Sequence, residues 1–178
     1  MTTTITGATG VNQITDDAIT DAKLPAGSVL QVKNFALTDT FVMTTAATWT
    51  DTTLVLSITP SSTASKILIT YSVSYAGNSG QRGGVRIIRG STPLCIADAS
   101  SNRIQTTSSF QGTSLRSSDA NLSSTYLDSP STASAVTYKV QAFCENNSPV
   151  YFNRGTNDED NGTIMRATSQ ITLTEIAG

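Results

Sequence analysis

From Lys66 to Gly77 the chain reads KILITYSVSYAG, placing Ile67, Ile69, Tyr71, Val73 and Tyr75 on one side and Leu68, Thr70, Ser72 and Ser74 on the other. The same period of two recurs elsewhere. Leu54, Leu56 and Ile58 share a face in TTLVLSI; Val136, Tyr138, Val140 and Ala142 oppose Thr137, Lys139 and Gln141; Ile171 and Leu173 alternate with Gln170, Thr172 and Thr174. Successive strand residues point to opposite faces, so each run predicts a strand with one face buried. Further strands are expected over 28–37, 40–45 and 149–153, and VRIIRGSTPLCIAD (85–98) reads as a hairpin turning at Gly90 to Pro93. The segment GNSGQRGG (77–84) reads as a Gly-rich turn. Residues 99–125, with isolated apolar points at Ile104, Phe110, Leu115 and Leu122, read as irregular strands and long loops. Eight or more short strands between turns predict one all-β domain, an antiparallel β-sandwich or a barrel. Two sheets with one apolar face each would bury these strands. The best helical stretch, ITDDAITDAKL (14–24), is weak.

Residues 1–26 differ from the rest. They hold no aromatic residue, and Ile5, Val11, Ile14, Ile19 and Leu24 are scattered among Thr, Gly and Asp. Such a segment cannot bury enough surface to offset its ordering entropy alone. It reads as an extended arm ending at Pro25 and Gly27, with 27–178 as the folded body. Ile5, Val11, Ile14 and Ile19 are too widely spaced for a core but suit shallow pockets on a partner.

Composition supports strands over helices. At 178 residues the chain suits one domain, and 13% of them are charged, against about 25% in an average globular chain. Ser and Thr together take close to three positions in ten; both disfavour helix, and Thr packs well on a pleated surface. A net charge of −2 argues against a nucleic-acid partner, which wants clustered Lys and Arg. Arg82, Arg86 and Arg89 are the one basic group, read as a solvated strand face in preference to an anion site. No apolar run approaches the ~20 residues of a membrane span, and no signal peptide is evident. Two cysteines do not make a disulfide scaffold; Cys95 and Cys144 are expected to be buried free thiols, with a bond between them as the alternative.

Chemistry is sparse. The chain has no His, which removes the commonest general base and metal ligand and makes a Ser–His–Asp or Cys–His arrangement impossible. Most carboxylates, among them Asp39, Asp51, Asp98 and Asp128, are expected in turns for backbone reasons, so no enzyme is expected and no cofactor is implied. Asn157, Glu159, Asn161 and Gly162 fall at the first, third, fifth and sixth positions of an EF-hand-like loop, but the twelfth would be Thr168 and no helix flanks it. The loop reads as a solvated hairpin tip, with a loose cation site as the alternative. GNSGQRGG lacks the Gly-Lys-Thr/Ser ending of a phosphate loop.

Six pieces occur in a telling order: PAGSVLQV (25–32), LVLSITPSSTASKILI (54–69), VRIIRGST (85–92), LDSPSTASAVTYKVQAF (127–143), PVYFNRG (149–155) and TSQITLTEIAG (168–178). Together they resemble domains of bacteriophage tail-fibre and virion surface proteins, compact jelly rolls of the tumour-necrosis-factor and complement type. The resemblance implies a jelly-roll sandwich, a homotrimer, and a place in the virion after synthesis in the host cytoplasm. Apolar residues on both faces of some strands, namely Leu68 beside Ile67 and Ile69, Phe143 opposite Val140 and Ala142, and Phe152 beside Tyr151, agree with burial between copies. The expected function is a non-enzymatic tail-fibre-type adhesin contacting a host surface glycan or protein, held to other virion proteins by residues 1–26. The alternative is a capsid decoration protein that clamps the head lattice. Receptor binding predicts solvent-facing aromatic residues at the tip distal from residue 27; decoration predicts a bland tip there.

Overall fold

The computed structural model describes residues 24–112 and 120–178. Ile5, Val11, Ile14 and Ile19, the helical candidate before Leu24, and Leu115 lie outside them. The described residues form eleven strands and no helix: β1 (Val29–Leu37), β2 (Phe41–Met43), β3 (Thr50–Ile58), β4 (Lys66–Gly77), β5 (Arg82–Arg89), β6 (Thr92–Leu94), β7 (Ser108–Gln111), β8 (Ala120–Asp128), β9 (Val136–Cys144), β10 (Val150–Phe152) and β11 (Ser169–Ile176).

They make two antiparallel sheets in a β-sandwich-like arrangement. The first, of six strands, runs β1-β11-β4-β8, with β10 sharing the β11 edge of β4 and β2 pairing with β10; the second runs β3-β9-β5 with β6 and β7 sharing the far edge of β5. The alternation in the sequence is the alternation in space. Ile67, Ile69, Tyr71 and Val73 of β4, Ile171 and Leu173 of β11, Leu54 and Ile58 of β3, and Tyr138, Val140 and Ala142 of β9 all join one buried core. Each large aliphatic or aromatic side chain removed from water contributes about 1.5–3 kcal/mol, so this shared core is what holds the sheets face to face.

One strand organises the first sheet. β4 pairs along one edge with β8; along the other it pairs first with β11, through Lys66–Ser72, then with β10, through Tyr75–Gly77. Where one partner gives way to the next, backbone groups need other bonds. Ser169 Oγ accepts from Ser74 N, and Asn153 N donates to Ser74 O. Asn153 is fully buried with φ +62°, in the left-handed region. Its Nδ2 donates to Leu37 O and Asp39 O, and its Oδ1 accepts from Ser169 Oγ at 2.6 Å. Asn tolerates that backbone better than most residues, and here its amide ties β1, β10 and β11 together.

Three expectations need correction. Gly83 and Gly84 belong to β5, not to a turn. A Cβ on Gly83 would lie 2.5 Å from Phe110 Cζ and from Phe143 O, and one on Gly84 2.5 Å from Thr106 Cγ2, so β5 lies close under its neighbours. The expected irregular region hides β8, a regular nine-residue strand whose Ala120, Leu122 and Tyr126 pack on the core. Asp128 is not a turn residue but the buried end of β8, where it accepts from Arg89 Nη1 at 2.8 Å and from Tyr138 Oη at 2.7 Å. Burial, then the neighbouring carboxylate, pushes the Tyr138 phenol far up, so it stays a donor.

Candidate functional site

Directly opposed residues of an antiparallel ladder share a face, so the registers define what each sheet shows to its surroundings. The outer face of the first sheet, across β1, β11, β4 and β8, carries Val32–Thr174–Leu68–Leu127, then Asn34–Thr172–Thr70–Thr125, then Ala36–Gln170–Ser72–Ser123. None is charged. Val32 is 58% exposed and Leu127 46%. Short polar contacts stitch the rows: Asn34 Nδ2 to Thr172 Oγ1 at 2.8 Å, Asn121 Nδ2 to Ser72 Oγ at 2.7 Å.

The outer face of the second sheet is different in kind. Asp51 of β3, Gln141 of β9 and Arg86 of β5 form one row. Arg86 Nε and Nη2 both donate to Gln141 Oε1, at 2.9 and 2.7 Å; Gln141 Nε2 donates to Asp51 Oδ1 and Lys139 Nζ to Asp51 Oδ2, each at 2.6 Å. The Lys139 hydrogen bond, then that of Gln141, holds the Asp51 carboxyl below its ordinary range. The guanidinium of Arg86 lies 4.1 Å from the centre of the Trp49 ring, and Trp49 meets Phe143 with ring centres 5.4 Å apart. Asp51 is therefore a strand residue with two partners, and no turn residue. Trp49 and Phe143 are both half-buried.

Beside Phe143 opens a cleft of about 290 Å³, lined also by Arg82, Gly83, Ile104, Thr106, Ser109 and Glu145. Arg82 and Glu145 are paired three ways: Nη1 to Oε2 at 3.3 Å, Arg82 N to Oε1 at 2.9 Å, and Glu145 N to Arg82 O at 3.0 Å.

The position of this cluster matters. β3 begins, β9 ends and β5 begins at one end of the sandwich, where Thr50 lies opposite Ala142 and Gly83 opposite Cys144. The chain enters the body at the other end. There Gly27 N donates to Ala177 O, Ala177 N to Ser28 O, and a second cleft is lined by Leu24, Leu30, Ser61 and Ala177. Seven steps along the strand separate Val136 from Phe143, roughly 23 Å.

The three arginines read as one group part company. Arg82 and Arg86 face outward with Glu145 and Gln141, while Arg89 lies on the inner side with Asp128. Both cysteines are free, as read, but Cys95 is exposed and only Cys144 is buried, its Sγ donating to Thr45 O. In the acidic loop, Asp158 binds Arg166 through both oxygens, and Asn157 and Asn161 cap their own turn, accepting from Glu159 N and Thr163 N. Trp49 is the residue the sequence reading missed. The available signal was the chain's one Trp standing immediately before a strand, with an apolar residue, Phe143, on the polar side of β9. A scan against protein-family models finds no match for this chain, and neither does a search of curated proteins.

Proposed function

We propose that the chain is a non-enzymatic bacteriophage virion protein, a homotrimeric jelly-roll adhesin of tail-fibre type that presents its Trp49–Phe143 end to a host surface. The observation that carries this reading is the half-buried Trp49–Phe143–Arg86 cluster with its adjoining cleft, at the end opposite the entry of the chain at Leu24–Ser28. A capsid decoration protein would have a bland distal end; aromatic and guanidinium groups beside a cleft are the residue types that concentrate binding energy.

The jelly-roll reading draws support from strand order. β3, β5 and β9 lie in the second sheet, and β4, β8 and β11 in the first, so the long strands from β3 onward alternate between sheets. The trimer reading draws support from the three uncharged rows at the middle of the first sheet's outer face, with Lys66 only at its end, since depletion of charge marks the core of protein interfaces. Residues 1–26 are assigned to virion attachment. A chain truncated to begin at Leu24 is expected to keep its melting temperature and oligomeric state but no longer join virions.

The direct test is adsorption of the purified chain to host cells, with Trp49→Ala and Phe143→Ser as variants. Adsorption lost in the folded variants supports the adhesin. Parent protein that ignores cells but saturates the surface of purified capsids would move it to decoration.

A further inference from the structure

We infer that the cleft beside Phe143 binds a single neutral pyranose unit of a surface glycan, an assignment that deepens the adhesin reading and rests on it. Size is the first argument. At about 290 Å³ the cleft lies at the lower bound of the ~300–1,000 Å³ that takes drug-sized ligands, enough for one ring and too small for a folded epitope.

Charge is the second. Arg82 is matched by Glu145, which also lines the cleft; Arg86, on the same strand, is committed to Gln141 and Trp49, and Arg103, beside Ile104, donates to Ser100 Oγ. Among the residues that line the cleft, Arg82 is the one cation and Glu145 already matches it, so a phosphate, sulfate or carboxylate would have to lie against Glu145. The matched pair instead offers a neutral polyol one carboxylate acceptor and one guanidinium donor side by side. The hydroxyls of Ser109 and Thr106 can each give or take a hydrogen bond.

Apolar surface is the third. Phe143 and the exposed Ile104 supply carbon-rich surface in the same lining as those polar groups. A pyranose has the same division, with C–H bonds on its faces and hydroxyls around its edge. An aromatic ring held in place by a neighbour binds such a face at small entropic cost, and Phe143 is held by Trp49. An extended peptide would need a free strand edge, and both edges of β5 are already paired, with β9 and with β7 and β6.

The test titrates the full chain with the methyl glycosides of glucose, galactose, mannose and N-acetylglucosamine in turn, followed by saturation-transfer NMR and by fluorescence of Trp49. At least one is expected to saturate in the millimolar range, and Glu145→Gln or Arg82→Ala, both at exposed positions, to weaken it about tenfold. Lys33→Ala, on the other sheet, is expected to bind like the parent. Inorganic sulfate and glucuronate are expected not to compete. The assignment is overturned if no glycoside saturates, if sulfate or glucuronate binds in their place, or if Glu145→Gln binds as tightly as the parent. A chain that adsorbs to host cells yet saturates with none of the glycosides overturns the sugar and leaves the adhesin standing. One that binds a glycoside but no cell supports the cleft and overturns the adhesin.

Discussion

The two outer faces of this molecule are built on the same ladder geometry and carry opposite chemistry. Across β1, β11, β4 and β8, three rows of four side chains hold Val, Leu, Ala, Ser, Thr, Asn and Gln and no charge. Across β3, β9 and β5, one row alone holds Asp51, Gln141 and Arg86, flanked by Lys139, Trp49 and Phe143. Inner faces answer to the core, so their composition reports burial. Outer faces are free to vary, and under the proposed function their difference reflects what each would meet: another flat protein surface in one case, and solvent with a small polar ligand in the other.

The strongest way to break this contrast is to charge the bland face. Thr70 lies mid-row between Thr172 and Thr125. In the proposed trimer, Thr70→Asp would place an unpaired carboxylate of each copy at a contact between copies, a cost of several kcal/mol per site. Sedimentation should then show the 18.7 kDa monomer in place of the trimer, whereas Lys139→Glu on the second sheet should leave the assembly intact. A Thr70→Asp protein that sediments like the parent would remove this face from consideration.

Next in size is a comparison of two ion pairs. Asp128 and Arg89 have side chains only 6% and 29% exposed, and Tyr138 Oη depends on the same carboxylate. Asp128→Ala strands both partners and should cost about 3–5 kcal/mol in urea unfolding. Asp51 is 51% exposed; Asp51→Ala should cost no more than about 1 kcal/mol. Equal losses would mean that the second-sheet network is as structural as the buried one.

Acid should reveal a third term. Burial raises the Glu175 pKa, but hydrogen bonds from Gln31 and from Ser61 N and Oγ outweigh it and leave the carboxyl below its ordinary value. A carboxyl depressed in the folded state contributes stability that is complete above its unfolded pKa, about 4.3, and lost as the pH falls through the folded value. The melting temperature should therefore fall below about pH 4.3, and Glu175→Gln should flatten that acid limb. An unchanged limb would place the acid sensitivity elsewhere.

The smallest expected effect is on the second-sheet surface itself. Arg86→Ala removes the guanidinium stacked on Trp49, worth about 0.5–1 kcal/mol. It should shift Trp49 emission to the red while barely moving the melting temperature. A large loss of stability would recast this cluster as part of the core.

What the sequence made legible follows from these contrasts. β4, β9 and β11 were readable, faces included, because burial on one side imposes a strict period of two. β8 was not, because its inward positions include Ala120 and Ser124 and its outward ones include Leu127, which blurs the alternation. Gly83 and Gly84 read as a turn because nothing local tells that Phe110 and Thr106 leave no room for a side chain. Asp51 and Asp128 looked like turn residues for the same reason: their cationic partners, Lys139 and Arg89, lie 88 and 39 positions away in the chain. The Trp49–Arg86–Gln141–Phe143 cluster exists only once strand register is known. Asn153, which closes the gap between β11 and β10, resembles any other loop asparagine.

The bonds joining Gly27 and Ser28 to Ala177 place the first and last strands of the body side by side at one end, which gives the domain a mechanical direction. A pull entering at Ser28 and resisted at Phe143 runs along the strands, and the rungs between β1 and β11 lie across it, so they share the load in shear. A pull separating Leu24 from Gly178 meets the same ladder at its end and opens it rung by rung. Single-molecule stretching should therefore find the first direction markedly stronger than the second. A domain anchored at one end and gripped at the other would feel the strong direction; equal rupture forces would deny the ladder this role.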